Sequence, residues 1–235
     1  MKKENKNEVG FKKESSVKEK QNKQVKIILI IIILILGSVI IVPFLIKYFN
    51  SFDYIGLKFE KTKIGKIKFF STKIPLTKKV PSKDSFVSLK DVTDYYDIKF
   101  RNDPRELEKI FTNVSEEGIK FIKNNPVYIS IYYDVPICED NLISVVGLTD
   151  FLERFGGLYV KGAINGKENS SDNLIIDCKN STFNTVIIVK NNSETSINQK
   201  SKNCYELNYR DCEILKATEK FEIMIIKKYM EYFKI

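Results

Sequence analysis

Four cysteines, Cys138, Cys178, Cys204 and Cys212, are the residues whose chemistry is plainest in this chain. Thiols in that number can form two disulfides, hold a zinc ion, act as a redox couple or stay buried and free. Zinc sites and redox couples use close pairs of the C-x-x-C kind, and no such pair occurs. The 235 residues contain no His. That removes the commonest metal ligand and the commonest general base near neutral pH. Zinc hydrolases, Ser-His-Asp triads and Cys-His proteases are thereby excluded. An even cysteine count points to a disulfide framework, with free buried thiols as the alternative. Four cysteines allow three pairings. The short loop between Cys204 and Cys212 favours that pair, which leaves Cys138 with Cys178 as the longer staple.

Other polar groups offer less. Arg101, Asp103 and Arg105 crowd a turn around Pro104. They are a candidate contact turn, and equally a capped turn with a local ion pair, worth little at a surface. Glu139-Asp140 beside Cys138 suits the N-terminal end of a helix dipole. Asn113, Asn169, Asn180 and Asn191 each open an N-x-Ser/Thr sequon, so all four are glycosylation candidates on an exported domain. Ser15–Lys18 matches a Ser-x-x-Lys string by chance in a charged tail. No Gly-rich phosphate loop is present. Nothing points to a catalytic residue, a cofactor or a metal. The net charge of +9 comes from dispersed lysines with no aromatic–basic module, which argues against nucleic acid as a partner.

The elements that must position these groups begin with a membrane span. Ile27–Ile46 is twenty residues without a charge, bounded by Lys26 and Lys47. At about 1.5 Å per residue it matches the roughly 30 Å hydrocarbon core of a bilayer. A cleaved signal peptide has an apolar region of about 7–15 residues, shorter than this one. The reading is a transmembrane helix over 26–48, preceded by a disordered basic tail over 1–25. That tail carries nine Lys and four Glu up to Lys26. Its lysines crowd the span and place the N-terminus in the cytoplasm, with the remainder outside. The lipid bilayer is then the first partner. Tyr48, Phe49, Phe52 and Tyr54 suit the outer interface.

Residues 51–235 read as an extracytoplasmic α+β domain with a mixed or antiparallel sheet and two main helices. A hairpin over Tyr54–Ile74 turns near Gly65, and Asp94–Arg101 is a further strand. Asp103, Pro104 and Glu106 carry the marks of a helix start and a capping box. Ile119–Ile122, Val127–Val135, Leu158–Ile164, Leu174–Cys178, Val186–Lys190 and Cys204–Tyr209 are the other expected strands. Leu142, Val145, Val146, Leu148, Leu152 and Phe155 give an amphipathic helix that Gly156-Gly157 ends. A last helix over Glu213–Phe233 has apolar residues on two faces, which predicts docking on the sheet.

Several of these pieces together resemble a family of single-pass membrane proteins from small-genome archaea of the woesearchaeal and pacearchaeal type. The resemblance runs from Phe52 to about Tyr232. It rests on Phe52-Asp53-Tyr54, Arg101-Asn102-Asp103-Pro104-Arg105, Val127-Tyr128-Ile129-Ser130, Asn184-Thr185-Val186-Ile187-Ile188, Asn203-Cys204-Tyr205 and Asp211-Cys212-Glu213 ahead of Glu219-Lys220-Phe221. It also uses Cys138 before a helix and Cys178 after a hydrophobic strand. It implies a shared fold with four matched cysteines, and it implies no activity. The first hairpin is richer in Lys and the last helix longer than in that family.

Three functions follow as expectations. The first is a non-enzymatic surface or envelope module that binds a membrane or surface protein. The second is an envelope-acting hydrolase, which needs two carboxylates about 5–10 Å apart in a cleft. The third is a structural subunit of a membrane complex, with the Gly37/Ser38 face packed on another helix.

Overall fold

The computed structural model describes residues 7–78, 88–132, 135–165 and 175–233. The chain divides into two units, Met1–Ser51 and Phe52–Ile235. The first is a single helix, α1 (Asn7–Phe49). Its segment Lys23–Ile46 is long and apolar enough to cross a membrane, and none of it is buried. An apolar surface on every side suits hydrocarbon, where the helix satisfies its own backbone. Ser38 Oγ donates to the Ile35 carbonyl at 2.7 Å, so its hydroxyl is satisfied within the helix. The helical backbone reaches back to Asn7, where composition predicts disorder. Lys, Glu and Gln are good helix formers, and an existing apolar helix removes the nucleation cost for the turns before it.

The second unit is α+β and holds two sheets. The first has the order β1 (Ser51–Tyr54), β2 (Leu57–Ile64), β3 (Ile67–Thr77) and β4 (Val92–Phe100). β2–β3 and β3–β4 pair antiparallel, and Gly65 turns the hairpin with φ +61°. Leu57, Phe59, Ile74, Tyr96, Ile98 and Phe100 face inward, while Lys58, Glu60 and Lys73 face out.

Six strands make the second sheet. They are β5 (Phe111–Asn113), β6 (Val127–Tyr132), β7 (Val160–Asn165), β8 (Thr185–Asn191), β9 (Ser196–Ser201) and β10 (Cys204–Tyr209). Their order is β5-β9-β10-β8-β6-β7. β10, β8, β6 and β7 run parallel, and β9 lies antiparallel to β10. β8 is central and buried on both faces, which explains its unbroken run Val186–Val189.

The helices are α2 (Pro104–Leu107), α3 (Asn141–Asp150) continued by a π-turn over Phe151–Phe155, and α4 (Ile214–Met230). Gly157, at φ +61°, stops the second of these. α4 packs on β10 and β9 of one sheet, and its Tyr229 Oη donates to the Pro75 carbonyl of the other at 2.8 Å. One core therefore joins Phe59 and Phe100, Ile187 and Tyr209, and Phe221 and Ile226. A smaller cluster of Ala163, Ile176, Val186, Ile188 and Cys204 lies on the back of the second sheet.

The structure corrects several expectations. Cys138 pairs with Cys212 and Cys178 with Cys204, at Cα separations of 5.6 and 5.5 Å. Cys204 opens β10 and Cys212 follows its end, so a six-residue strand holds them apart. At about 3.3 Å per residue that is far beyond the 4.4–6.8 Å a disulfide spans. Ile119–Ile122 is not a strand. Its amides are met by side chains, Lys120 N donating to Tyr205 Oη at 2.7 Å and Ile122 N to Thr185 Oγ1 at 3.0 Å. Leu174–Cys178 fails as a strand too, within its described part. Ile175 makes one bridge to Ile164, and Asp177 then caps a 3-10 turn over Cys178–Thr182 through a capping box. The polar strand β9 and the short β1 and β5 carry little apolar alternation and were not legible in the sequence.

Candidate functional site

The Arg101–Arg105 turn follows directly from local sequence. β4 ends at Phe100, Pro104 opens α2, and the Asp103 carboxylate accepts the Arg105 amide at 3.0 Å as N-cap. The Arg105 guanidinium grips the same carboxylate with two bonds, Nε to Oδ1 at 3.0 Å and Nη2 to Oδ2 at 2.6 Å. The first of these contacts holds the Asp103 carboxyl below its usual range, against a smaller rise from burial. Arg105 also lies over the Phe52 ring, 3.9 Å from its centroid. Glu106 does not complete a capping box and pairs instead with Lys109.

Arg101 and Asn102 are held from further away. Arg101 Nη1 donates to Asp140 Oδ1 at 2.6 Å, at the start of α3 and next to the Cys138–Cys212 bridge. Glu219 of α4 accepts the Arg101 amide at 2.6 Å, the Asn102 amide at 3.0 Å and Asn102 Nδ2 at 2.7 Å. A groove of about 600 Å³ opens beside Arg101, Asp103, Arg210 and Glu213. A second of about 500 Å³ lies along Arg101, Asp140, Cys212 and Lys216. Both mix charges of either sign and select no single ligand.

A third cavity, about 460 Å³, lies between α3, α4 and β4. Its polar lining is Tyr96, Asp97, Lys99, Arg101, Ser144, Asp150, Arg154, Thr218, Glu219 and Glu222. Tyr96 Oη donates to Asp150 Oδ2 at 3.2 Å. Arg154 Nη1 reaches Asp150 Oδ1 at 3.4 Å. Glu222 is only 6% exposed, and no hydrogen bond from a described residue reaches its carboxyl. Burial, then the nearby Glu219 and Asp150 carboxylates, raise it well above the ordinary value. Burial takes Glu219 up to about 7, against the pull of its three donors and Arg101. Sequence reasoning did not single out Asp150, Glu219 or Glu222 as site residues. The available signal was α4 itself: a helix apolar on two faces must also bury the charges between them.

A part-buried ion-pair cluster ties the same helix to Glu108, just after α2. Lys220 Nζ reaches Glu108 Oε2 at 3.1 Å, and Lys227 Nζ reaches Oε1 at 3.2 Å. Burial raises the Glu108 carboxyl, but the Tyr54 hydroxyl and both ammonium groups outweigh it and bring it down to about 2.

The outer side of α3 is the least expected surface. Leu142, Ile143 and Val146 are exposed, with fully exposed Ile137 just before them. The buried residues are Ser144 and Leu148. Ser144 tolerates burial because its hydroxyl donates to the Asp140 carbonyl at 2.6 Å. The predicted apolar face is thus partly turned to solvent.

Of the sequons, Asn113 on β5, Asn180 in the 3-10 turn and Asn191 at the end of β8 are exposed. Asn180 Oδ1 accepts the Asp177 amide at 3.0 Å. Asn169 lies outside the described residues. Among the described residues no group of three His, Cys, Asp or Glu side chains is placed to hold a metal ion. No protein-family model, curated protein or solved structure matches the chain.

Proposed function

We propose that the chain is a membrane-anchored binding module. α1 spans the bilayer with its N-terminus in the cytoplasm, and the disulfide-bonded domain stands outside and engages an envelope or membrane protein through the outer face of α3. The observation that carries the binding reading is that face. Leu142, Ile143 and Val146 lie in water while a serine of the same helix is buried. Contiguous apolar surface of this kind marks interaction sites. The orientation is supported by the crowding of lysines before the span and by the two disulfides, Cys138–Cys212 and Cys178–Cys204, after it.

A photocrosslinker at Val146 in native membranes should give a discrete protein adduct that Leu142→Asp abolishes. Adducts identical to those from a probe at Lys179 would sink the binding reading. Protease added to intact cells should remove the domain and spare the N-terminal arm, and the mature protein should retain residues 1–49.

A second reading is favoured by one observation, the convergence of Asp150 and Glu222 on one cavity. Two carboxyls on one cavity, one of them raised by burial, are the pairing used in glycoside hydrolysis. It requires hydrolysis of envelope polysaccharide that Glu222→Gln eliminates.

A further inference from the structure

We infer that the cavity between α3, α4 and β4 binds a small ligand bearing an ammonium or amidinium group, with Glu222 and Asp150 as its anchoring carboxyls. The inference does not rest on which side of the membrane the domain occupies, nor on the outer face of α3.

The first support is Glu222. It is nine-tenths buried, lines the cavity and has no hydrogen-bond partner among the described residues. A buried carboxyl left without a partner is costly whether ionised or neutral. Its side chain lines the cavity, so a molecule in that space can partner it.

The second support is where the hydroxyl protons of the wall go. Ser144 donates to the Asp140 carbonyl, Thr218 to the Ile214 and Leu215 carbonyls, and Tyr96 to Asp150. Glu219 already accepts three bonds from the Arg101–Asn102 turn. What these groups leave for a ligand is the Asp150 oxygens and the Glu222 carboxyl, which burial biases toward its protonated form and a cation entering beside it turns into an acceptor pair. An ammonium brings three donors and an amidinium up to four, with no acceptor.

Shape and aromatic content agree. Tyr96 and Phe151 line the cavity with ring centroids 6.1 Å apart, and Arg154 lies over the Tyr96 ring, 5.9 Å from its centroid, as ring faces favour a cation. Three basic residues, Lys99, Arg101 and Arg154, share the lining. Arg101 is engaged by Asp140, Lys99 lies on β4, and Arg154 touches Asp150 at 3.4 Å with most of its side chain in water. An entering cation replaces that long, exposed contact with a shorter one in a drier place.

The test uses the full chain in nanodiscs of zwitterionic lipid. Saturation-transfer NMR and calorimetry are run with propylamine, 1,4-diaminobutane, benzamidine and, as a neutral probe, methyl glucoside. At least one cationic probe should bind saturably at one site per chain. Glu222→Gln, which keeps the shape, should weaken that binding about tenfold or more, as loss of a charge-assisted bond does. Asp150→Asn should weaken it as well and serves if the first variant does not fold. The inference is overturned if no cationic probe saturates by 10 mM (an upper bound of about 3 kcal/mol of affinity). It is also overturned if both variants bind as well as the parent, or if methyl glucoside alone binds.

Discussion

Glu219 shows how a single side chain organises the domain. Only 4% exposed, it closes the end of β4 by accepting three hydrogen bonds from Arg101 and Asn102. Glu219→Ala leaves two backbone amides unpaired in a part-buried turn. The expected loss is about 2–4 kcal/mol in urea unfolding, whereas Glu106→Ala at the surface should cost under about 0.5 kcal/mol. The same residue gives a pH signature. Its folded value of about 7 lies above the ordinary 4.5, and Glu222 is raised too. Between those values the folded chain holds protons that the unfolded chain releases. This contribution is therefore complete below about pH 4.5 and is lost as pH rises through 7. Glu108, lowered to about 2, acts in the opposite sense, and its contribution fades as pH falls below 4.5. The thermal midpoint should drop by roughly 5–10 °C from pH 5 to pH 8. Glu222→Gln should flatten that drop, although Glu219, Asp150, Tyr96 and Arg154 still face the site. The Asp103 cap was legible in the sequence because its partner is two residues away. The Glu219 and Glu222 environments were not, because residues more than fifty positions away create their burial.

At the scale of elements, pairing rules decide what propensity cannot. β10 keeps Cys204 and Cys212 apart, and the parallel register of Cys204 with Val186 on β8 brings it to the turn that begins at Cys178. Non-reducing peptide mapping should give linked peptides containing Cys138 with Cys212 and Cys178 with Cys204. The bridges close loops of 74 and 26 residues. Chain entropy puts the loss on removal at about 4.5 and about 3.5 kcal/mol respectively, measured as a shift in the denaturant midpoint. The helix α3 was legible in type and extent, since Gly157 ends it and the apolar spacing is helical. Its orientation was not. A serine can turn inward when a carbonyl takes its hydroxyl, and apolar periodicity cannot register that. Ile119–Ile122 and Leu174–Cys178 misled for a related reason. Short apolar runs do not reveal whether their amides will meet a strand or a side chain.

For the whole molecule, the division at Ser51 separates two kinds of stability. α1 exposes its apolar surface and is long and apolar enough to cross a membrane, while the domain has its own core and two bridges. Residues 52–235, secreted alone into an oxidising compartment, should fold and titrate no thiols in denaturant. After reduction all four cysteines should react. Two or more thiols before reduction would contradict the bridges. By itself the sequence determined the apolar span, the absence of histidine chemistry, the α+β class, the Asp103 cap and the confinement of cysteines to one side of the span. Each depends on composition or on neighbours within a few residues. Only the tertiary structure decided the cysteine pairing, the split into two sheets, the burial of Glu219 and Glu222, and the exposure of Leu142 and Val146. Those depend on which distant strands and helices meet, and long-range packing is not encoded in any local period.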